Sequence, residues 1–373
     1  MRWCSSLRRV CIVCVSLRAG GTERVVTRVA EYLSARHEVT LVLLSRRKPF
    51  YLLRSDIQVL YPGFDSRQAT GWRWYPKILR YLWRNLREVR PDLVLCFGEP
   101  IAPPTLLIST LVGCRCIVFN RASPLASLKG LRGIANPLTY PLAQKVVVQT
   151  RRSIDMLQGR YRFVKFAVWP NPIDVPIQVK PFGNRARRII TVGTLGGRKN
   201  QQAMIRAFSA LPERAGWTLD LIGDGPDKAT LERLARDLDV TDHVRFLGEC
   251  KDVEKLLQDS RIFAFASLTE GFPNALAEAL AAGCACISFD CPTGPSELIE
   301  HNVNGLLIEA GDQERFSAEL ARLIADAALQ ERLSVAARRD IERFSADRVL
   351  EQFEKLLRSA FPQVGKRQEA PCD

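Results

Sequence analysis

The residues best suited to binding a ligand lie in a short segment with a carboxylate near each end, Glu270 and Glu278. It reads T-E-G-F-P-N-A-L-A-E and follows an apolar run, which predicts a strand, a loop and the start of a helix. Free N–H groups at a helix N-terminus attract an anion, and carboxylates accept hydrogen bonds from hydroxyls. The combination suits a sugar nucleotide. For Glu278 alone, a simple interaction with the helix dipole is the favoured alternative.

Two adjacent cations, Arg198 and Lys199, follow another predicted strand. They stand after a loop that begins at Gly193 and immediately before a predicted helix. Because a helix N-terminus is positive, cations there reduce stability unless an anion lies above them, and a diphosphate is the natural candidate. A solvated pair on a loop is the alternative. The loop matches neither the P-loop pattern nor the G-x-G-x-x-G fingerprint.

Arg121 is a further candidate, because it follows the predicted strand that ends at Phe119. Open α/β sheets place their ligands at the carboxyl ends of parallel strands, so Arg121 is expected to contact an anion or a hydroxyl. A plain surface arginine is the alternative. The histidines of the chain, His37, His243 and His301, all lie in other segments.

Strand-like apolar runs alternate with helical patterns along the chain. The alternation predicts an α/β fold of two doubly wound, Rossmann-like domains facing each other across a cleft. The first domain spans residues 1–169 and the second spans residues 182–346. The proline-rich segment 170–181 between them is predicted to be the interdomain linker. Ligands are expected in the cleft, at the carboxyl ends of both sheets.

Positive charge is concentrated in the first half of the 373-residue chain. The net charge is +14, but residues 1–165 carry 28 Lys and Arg against 9 Asp and Glu. This asymmetry indicates that an anionic lipid surface, a diphosphate-linked acceptor or nucleic acid faces the first domain. No apolar run approaches the ~18 to 20 residues that span a bilayer, and no signal peptide is predicted. The eleven cysteines are predicted to be mostly buried free thiols, as in a reducing cytoplasm.

Segment 71–84 alternates aromatic and basic residues along a predicted helix. Tryptophans such as Trp72 and Trp83 beside arginines are typical of a helix that lies in a membrane interface. The alternative is an amphipathic helix that packs on the sheet through Leu82 and Leu86, with its arginines solvated. The sequence leaves both interpretations open.

Four motifs resemble those of the retaining glycosyltransferases of family 4, which have the two-domain GT-B fold. They are Gly20-Gly21-Thr22-Glu23-Arg24, Gly193 with Arg198-Lys199, the G-x-G-P loop Gly223-Asp224-Gly225-Pro226, and the E-x7-E segment from Glu270 to Glu278. The resemblance runs from Val10 to about Phe353. It implies an acceptor-binding first domain, a nucleotide-sugar-binding second domain, and a C-terminal segment, 347–373, whose helix returns to the first domain.

The resemblance also implies roles for the matching residues. Glu270 would contact the donor sugar's hydroxyls and Glu278 the nucleotide ribose. Arg198 and Lys199 would contact the leaving diphosphate. No metal or other cofactor is expected, because Arg, Lys and a helix terminus neutralise that diphosphate. The remaining substrate-binding positions are Gly20, Gly21, Gly193, Gly223, Gly271, Phe272, Pro273, Asn274, Ala275 and Leu276.

The loop after Phe119 departs from the usual family pattern. Many relatives carry a histidine there, whereas this chain reads N-R-A-S-P, which is closer to the S-E-R-N-x-P of one subgroup. Arg121 is the residue shared with that subgroup and is therefore counted among the candidate catalytic residues. No general base is assigned, and front-face attack assisted by the leaving phosphate does not strictly need one.

The sequence predicts a retaining hexosyltransferase that moves a sugar from a nucleotide-sugar, specifically a UDP-sugar, to a lipid-linked or cell-surface glycan. The basic first domain and the segment from Trp72 to Trp83 predict a cytoplasmic protein that is peripheral on the inner membrane face, with a polyprenyl-diphosphate-linked glycan as the acceptor. A GT-B-fold epimerase or phosphorylase is the alternative. A non-catalytic nucleotide-sugar or nucleic-acid binding protein is disfavoured, because no known nucleic-acid-binding motif is present.

Overall fold

The computed structural model describes residues 7–18, 20–47, 49–64, 75–128, 130, 132–212, 214 and 216–360. Within these ranges the chain forms two parallel sheets with helices between the strands. Trp72 and the C-terminal tail 361–373 lie outside the described residues. No helix in the described ranges is long and apolar enough to cross a membrane.

Seven parallel strands form the first sheet, in the order β3-β2-β1-β4-β5-β6-β7. Most of them are apolar runs buried on both faces, as expected where helices cover a parallel sheet. The strand order reverses between β1 and β4, where doubly wound sheets bind their ligands. The strands are β1 Arg9–Cys14, β2 Glu38–Leu43, β3 Gln58–Leu60, β4 Leu93–Phe97, β5 Arg115–Phe119, β6 Lys145–Val148 and β7 Phe166–Val168.

The second sheet has six parallel strands in the order β10-β9-β8-β11-β12-β13, with its reversal between β8 and β11. Its edge strand β13 was not predicted from the sequence. The predicted α/β class with two doubly wound domains is confirmed. The strands are β8 Ala186–Val192, β9 Thr218–Ile222, β10 Val244–Gly248, β11 Ser260–Phe265, β12 Ala285–Asp290 and β13 Leu306–Glu309.

Helices join consecutive strands and cover both sheets. Those associated with the first sheet are α1 Gly21–Ser34, α2 Tyr75–Val89, α3 Ala102–Leu111, α4 Pro124–Ser127, α5 Arg132–Thr139 and α6 Arg151–Gln158. Those that follow are α7 Gln201–Ser209, α8 Lys228–Asp237, α9 Val253–Gln258, α10 Asn274–Ala281, α11 Pro295–Leu298, α12 Gln313–Ala325, α13 Ala327–Ile341 and α14 Ala346–Ala360.

The chain crosses between the two domains twice, and the two crossings lie side by side. The N–H of Ile173, after β7, donates to Phe344 O at 2.9 Å, and the N–H of Ala346 donates to Ile173 O at 3.0 Å. Beyond the second crossing, α14 packs on the first sheet, where Val349 and Phe353 are fully buried in its core. The indole N–H of Trp169 donates to Val349 O at 2.8 Å. These contacts form a two-stranded hinge.

Helix α2 packs on the first sheet, as one of the two interpretations of segment 71–84 requires. Leu82 and Leu86 are fully buried there. The outer face of the helix nevertheless exposes 42% of Trp83, with the Arg87 guanidinium 5.0 Å from its ring centroid. The described part of this segment is therefore a packed amphipathic helix with an aromatic and basic outer face.

Glycines at 223 and 225 let two loops of the second domain touch backbone to backbone. A Cβ on Gly223, whose φ is +125°, would lie 2.2 Å from Gly193 O. A Cβ on Gly225 would lie 2.2 Å from Leu195 O. Any larger residue would therefore push the loop after β9 away from the loop after β8. The G-x-G-P motif thus supports the loop that carries Arg198 and Lys199.

Candidate functional site

A cavity of about 450 Å³ lies between the two domains. It is at the carboxyl ends of both sheets, where the doubly wound fold predicts a ligand. Its first-domain lining is Gly21, Thr22, Arg121, Ala122, Ser123, Leu125, Ala126 and Gln149, and Asn171 of the linker joins them. Its second-domain lining is Arg198, Thr269, Glu270, Gly271, Phe272 and Asn274.

Glu270 and Lys199 form an ion pair beside this cavity. Lys199 Nζ donates to Glu270 Oε1 at 2.7 Å, and the two side chains are only 21% and 14% exposed, respectively. The loops that carry them follow β8 and β11, the strands on either side of the sheet reversal. The Lys199 ammonium also lies 5.3 Å from the centroid of the Phe265 ring. A carboxylate and an ammonium group are thus held together at the carboxyl ends of these two strands.

Arg198 lines the cavity with an exposed side chain. Its carbonyl accepts a hydrogen bond from Leu268 N at 2.9 Å, which joins the loop after β8 to the loop after β11. Helix α7 begins at Gln201, so both cations lie in the loop just before the helix and not in its first turn. They can reach a ligand without disturbing the helix.

A third loop, which follows β12, contacts the loop that carries Glu270. The Thr293 hydroxyl donates to Glu270 O. A Cβ on Gly294, whose φ is +107°, would lie 2.5 Å from Pro273 Cδ. Thr293 and Gly294 were not selected from the sequence. The only available signal was the turn composition C-P-T-G-P directly after a predicted strand.

Cys291 is a buried thiol close enough to Glu270 and Lys199 to be affected by their charges. Burial, assisted by the nearby Glu270 carboxylate, raises the pKa of the Cys291 thiol to about 12. The thiol donates to Thr293 O at 3.4 Å. A thiol that stays protonated at neutral pH reacts slowly. All nine cysteines in the described ranges are free and seven of them are buried.

Helix α1 of the first domain contacts the segment from Thr269 to Glu278 at two points. Gly21 contacts Asn274 so closely that a Cβ on the glycine would lie 2.2 Å from Asn274 Nδ2. One turn further along α1, the Arg24 guanidinium pairs with the Glu278 carboxylate. Burial alone would lower the pKa of Arg24, but Glu278 raises it above its ordinary value. Glu278 is thus neutralised by the opposite domain.

Arg121 is not the plain surface arginine of the alternative interpretation. Its guanidinium is buried, and Nη1 donates to Trp169 O at 3.2 Å and to Asn171 Oδ1 at 3.0 Å. Trp169 and the aromatic residues at the ends of β4 and β5 surround it. Because Nε and Nη2 have no access to solvent, the group does not meet an anion in the cavity in this conformation. The contact of Arg121 with an anion or a hydroxyl stays a prediction.

Two further contacts join the two domains beside the cavity. The hydroxyls of Ser123 and Thr269 share a hydrogen bond of 2.7 Å across the cleft. A Cβ on Gly271 would lie 2.6 Å from Gln149 Oε1 and 2.9 Å from Arg121 O. Glycine is therefore the residue that lets the E-G-F-P loop lie against the first domain.

The other predicted binding residues have supporting positions. These residues do not line the cavity. Leu276 is fully buried in the second domain. Those outside the cavity lining are Gly20, Gly193, Gly223, Pro273, Ala275, Leu276 and Glu278. Among the residues that the structure describes, no group of three or more His, Cys, Asp or Glu side chains could hold a metal ion.

Fold and site together define a two-domain α/β protein with a cleft that is lined by a cation, Arg198, and a carboxylate, Glu270. Residues 19–176 match the family described as Glycosyltransferase Family 4, and residues 176–340 match Glycosyl transferases group 1. The chain therefore belongs to the family 4-type glycosyltransferases with the GT-B fold.

Several known proteins are similar to this chain. The amylovoran biosynthesis glycosyltransferase AmsD of Erwinia amylovora is 26% identical over 91% of this chain and 96% of its own length. A Campylobacter jejuni protein named N-acetylgalactosamine-N,N'-diacetylbacillosaminyl-diphospho-undecaprenol 4-alpha-N-acetylgalactosaminyltransferase is 25% identical, covering 86% of this chain and 91% of that protein. The exopolysaccharide phosphotransferase SCO2592 of Streptomyces coelicolor is 28% identical over 94% of this chain, which spans 40% of that longer protein.

A solved structure shares the fold over nearly the whole chain. The Anabaena protein Alr3699/HepE in complex with UDP superposes with a TM-score of 0.77 at 18% identity. The match covers 95% of this chain and 100% of HepE. The predicted GT-B fold is therefore confirmed.

Proposed function

We propose that this glycosyltransferase is a retaining hexosyltransferase that uses a UDP-sugar and extends a lipid-linked or cell-surface glycan in polysaccharide biosynthesis. The observation that carries the proposal is the Lys199–Glu270 ion pair, whose Glu270 lines a cavity between the two domains. A nucleotide-sugar needs a cation for its diphosphate and a carboxylate for its sugar hydroxyls. We assign the first-domain side of the same cavity to the acceptor.

Each site residue has its own role in the proposed sugar transfer. Arg198, Lys199 and the N-terminus of α10 offset the charge that grows on the departing nucleoside diphosphate, with no metal required. Glu270 accepts hydrogen bonds from the sugar hydroxyls and so orients the anomeric carbon. A leaving phosphate oxygen can take the acceptor's proton on the face that the diphosphate vacates. Attack on that face retains the anomeric configuration.

Two of the similar proteins support the choice of substrates. HepE was solved with UDP, and the Campylobacter relative is named for an undecaprenyl-diphosphate-linked acceptor. A diphosphate-linked acceptor also suits a first domain whose sequence carries a large excess of cations. These similarities motivate the donor and acceptor that we propose.

Incubation with UDP-, GDP- and ADP-sugars and a polyprenyl-diphosphate-linked acceptor tests this function. We expect transfer from one UDP-sugar, with a product of the same anomeric configuration as the donor by NMR coupling constants. An inverted product would contradict the retaining mechanism. Conversion of the nucleotide-sugar without an acceptor would favour an epimerase, and reversible sugar release to inorganic phosphate would favour a phosphorylase.

We also propose that the first domain binds the inner face of the cell membrane peripherally. An aromatic and basic surface lies between the ends of α2 and α3 and includes Trp83, Arg87, Arg90 and Leu111. Leu111 is 76% exposed and Trp83 is 42% exposed. Exposed apolar side chains among arginines suit an anionic lipid interface.

Vesicle flotation tests membrane binding. The protein should float with vesicles containing phosphatidylglycerol but not with pure phosphatidylcholine, and high salt should release it. Replacing Trp83 and Leu111 by serine should lower the bound fraction severalfold. Val335→Ser, at a 66%-exposed position on the second domain, is the matched control. Equal binding to neutral vesicles would contradict the electrostatic part of the proposal.

A further inference from the structure

Arg121 is a buried cation without a carboxylate partner among the described residues. Its Cζ lies 4.5 Å from the Trp169 ring centroid, 5.5 Å from Phe119 and 5.7 Å from Phe97. Nε and Nη2 have no hydrogen-bond partner, whereas Nη1 donates to Trp169 O and to Asn171 Oδ1. Burial lowers the pKa of Arg121 to about 9, so the group is still a cation at neutral pH. Burying such a charge is costly, and packing alone does not require one.

The Asn171 amide is fixed by its neighbours. Its Oδ1 accepts from Arg121 Nη1 at 3.0 Å and from Gln149 Nε2 at 3.0 Å. Its Nδ2 donates to Asn274 Oδ1 at 2.7 Å. Two donors on one side and an acceptor on the other permit one orientation of the amide. A hydrogen bond from a cation is also stronger than one between neutral groups.

Asn274 connects this network to the donor loop. It is the first residue of α10, lines the cavity and stands four residues after Glu270. Because Asn171 Nδ2 donates to its Oδ1, its own Nδ2 is directed to the other side, where Gly21 leaves just enough space. Residues from the first domain and the hinge therefore determine which polar group Asn274 presents to the cavity.

We propose that Arg121 is a positioning residue that acts through Asn171 on Asn274, so that the donor loop reaches its working geometry only when the first domain is docked on it. The proposal rests on the glycosyl transfer proposed above and adds how closure of the cleft is communicated to the donor side. In this arrangement the Arg121 guanidinium donates to Trp169 and Asn171 and is buried. The Arg121 guanidinium fixes the orientation of the Asn171 amide, and the Asn171 amide fixes the orientation of the Asn274 amide.

Asn171→Asp separates positioning from stability. The carboxylate gives Arg121 a counter-ion and keeps the acceptor for Gln149, so the melting temperature should be unchanged or raised. It removes the donor to Asn274 and places an oxygen against Asn274 Oδ1, which either repels that amide or turns it over. Repulsion would move the Asn274 amide, and rotation would exchange its oxygen and nitrogen, so the hydrogen-bonding groups at the cavity would be altered in either case. We expect kcat to fall about 10- to 100-fold, as a misplacement of about 1 Å can cost.

Two substitutions of Arg121 distinguish indirect from direct action. Arg121→Met keeps the apolar packing and removes the charge, and Arg121→Lys restores a cation with fewer donors. We expect kcat to fall in the order wild type, Lys, Met, with the dissociation constant for UDP changed less than about twofold. A large loss of UDP affinity would instead show a direct anion contact and would overturn the proposal.

Arg28→Met is the matched control. Arg28 joins the first domain to the linker through Pro172 O and Asp174, away from the cavity lining. Its loss should leave kcat unchanged. Wild-type kcat in Asn171→Asp and Arg121→Met would overturn the positioning role while the glycosyl transfer stands. A wild-type protein that transfers no sugar from any donor would overturn the proposed function itself.

Discussion

Replacing Glu270 by glutamine is expected to lower kcat at least about a hundredfold in the transfer assay. The side chain is only 14% exposed, lines the interdomain cavity and pairs with Lys199. Glutamine keeps the size of the side chain but turns half of a double acceptor into a donor, so sugar hydroxyls lose a charged partner. Positive charge also builds up at the anomeric carbon during transfer, and a nearby carboxylate stabilises it.

Glu254→Gln serves as the control for this measurement, because Glu254 is exposed on α9 of the same domain. It should retain full activity and an unchanged melting temperature. UDP should still bind to the Glu270 variant, since the carboxylate is assigned to the sugar and not to the diphosphate. A loss of less than about tenfold would correspond to less than ~1.4 kcal/mol and would remove Glu270 from the transition-state contacts.

Much of the fold could be predicted from sequence because the strands are buried on both faces. Runs such as Leu93–Phe97 and Ile262–Phe265 are apolar throughout and stand between helical patterns. Strand β13, Leu306–Glu309, was missed since it has only four residues and follows an irregular segment. Its place in the sheet depends on pairing with β12, which a local pattern does not contain.

The sequence indicated which residues belong to the candidate site, but it did not indicate which side chains form ion pairs with each other. Glu270 and Lys199 are 71 residues apart, and Arg24 and Glu278 are 254 apart. No local pattern indicates such pairs, because they depend on how the domains dock. The same limit explains Arg121. Its position after a strand was predicted correctly, whereas its direction is set by the aromatic side chains at the ends of neighbouring strands and by the linker.

The charged groups of the site neutralise one another in this conformation. Both glutamates of the E-x7-E segment hold a cation, one from the same domain and one from the opposite domain. A nucleotide-sugar offers its own diphosphate and hydroxyls, so binding exchanges partners and does not bury an unpaired charge. Because Glu278 holds Arg24, a ligand at Glu278 would replace this one ion pair between the domains. The contacts of Asn274 with Asn171 and Gly21 would remain.

Replacing Lys199 by methionine is expected to lower kcat about 100- to 1,000-fold, as loss of one donor to a developing negative charge does. Methionine preserves most of the apolar stem, which lies so close to Gly193 that a Cβ on that glycine would be 3.3 Å from Lys199 Cε, so the fold should persist. UDP affinity should fall as well, unlike in the Glu270 variant, because the ammonium is assigned to the diphosphate. Lys251→Met, at an exposed position of the same domain, should behave as wild type. Unchanged UDP affinity in the Lys199 variant would assign the diphosphate to Arg198 and the α10 N-terminus alone.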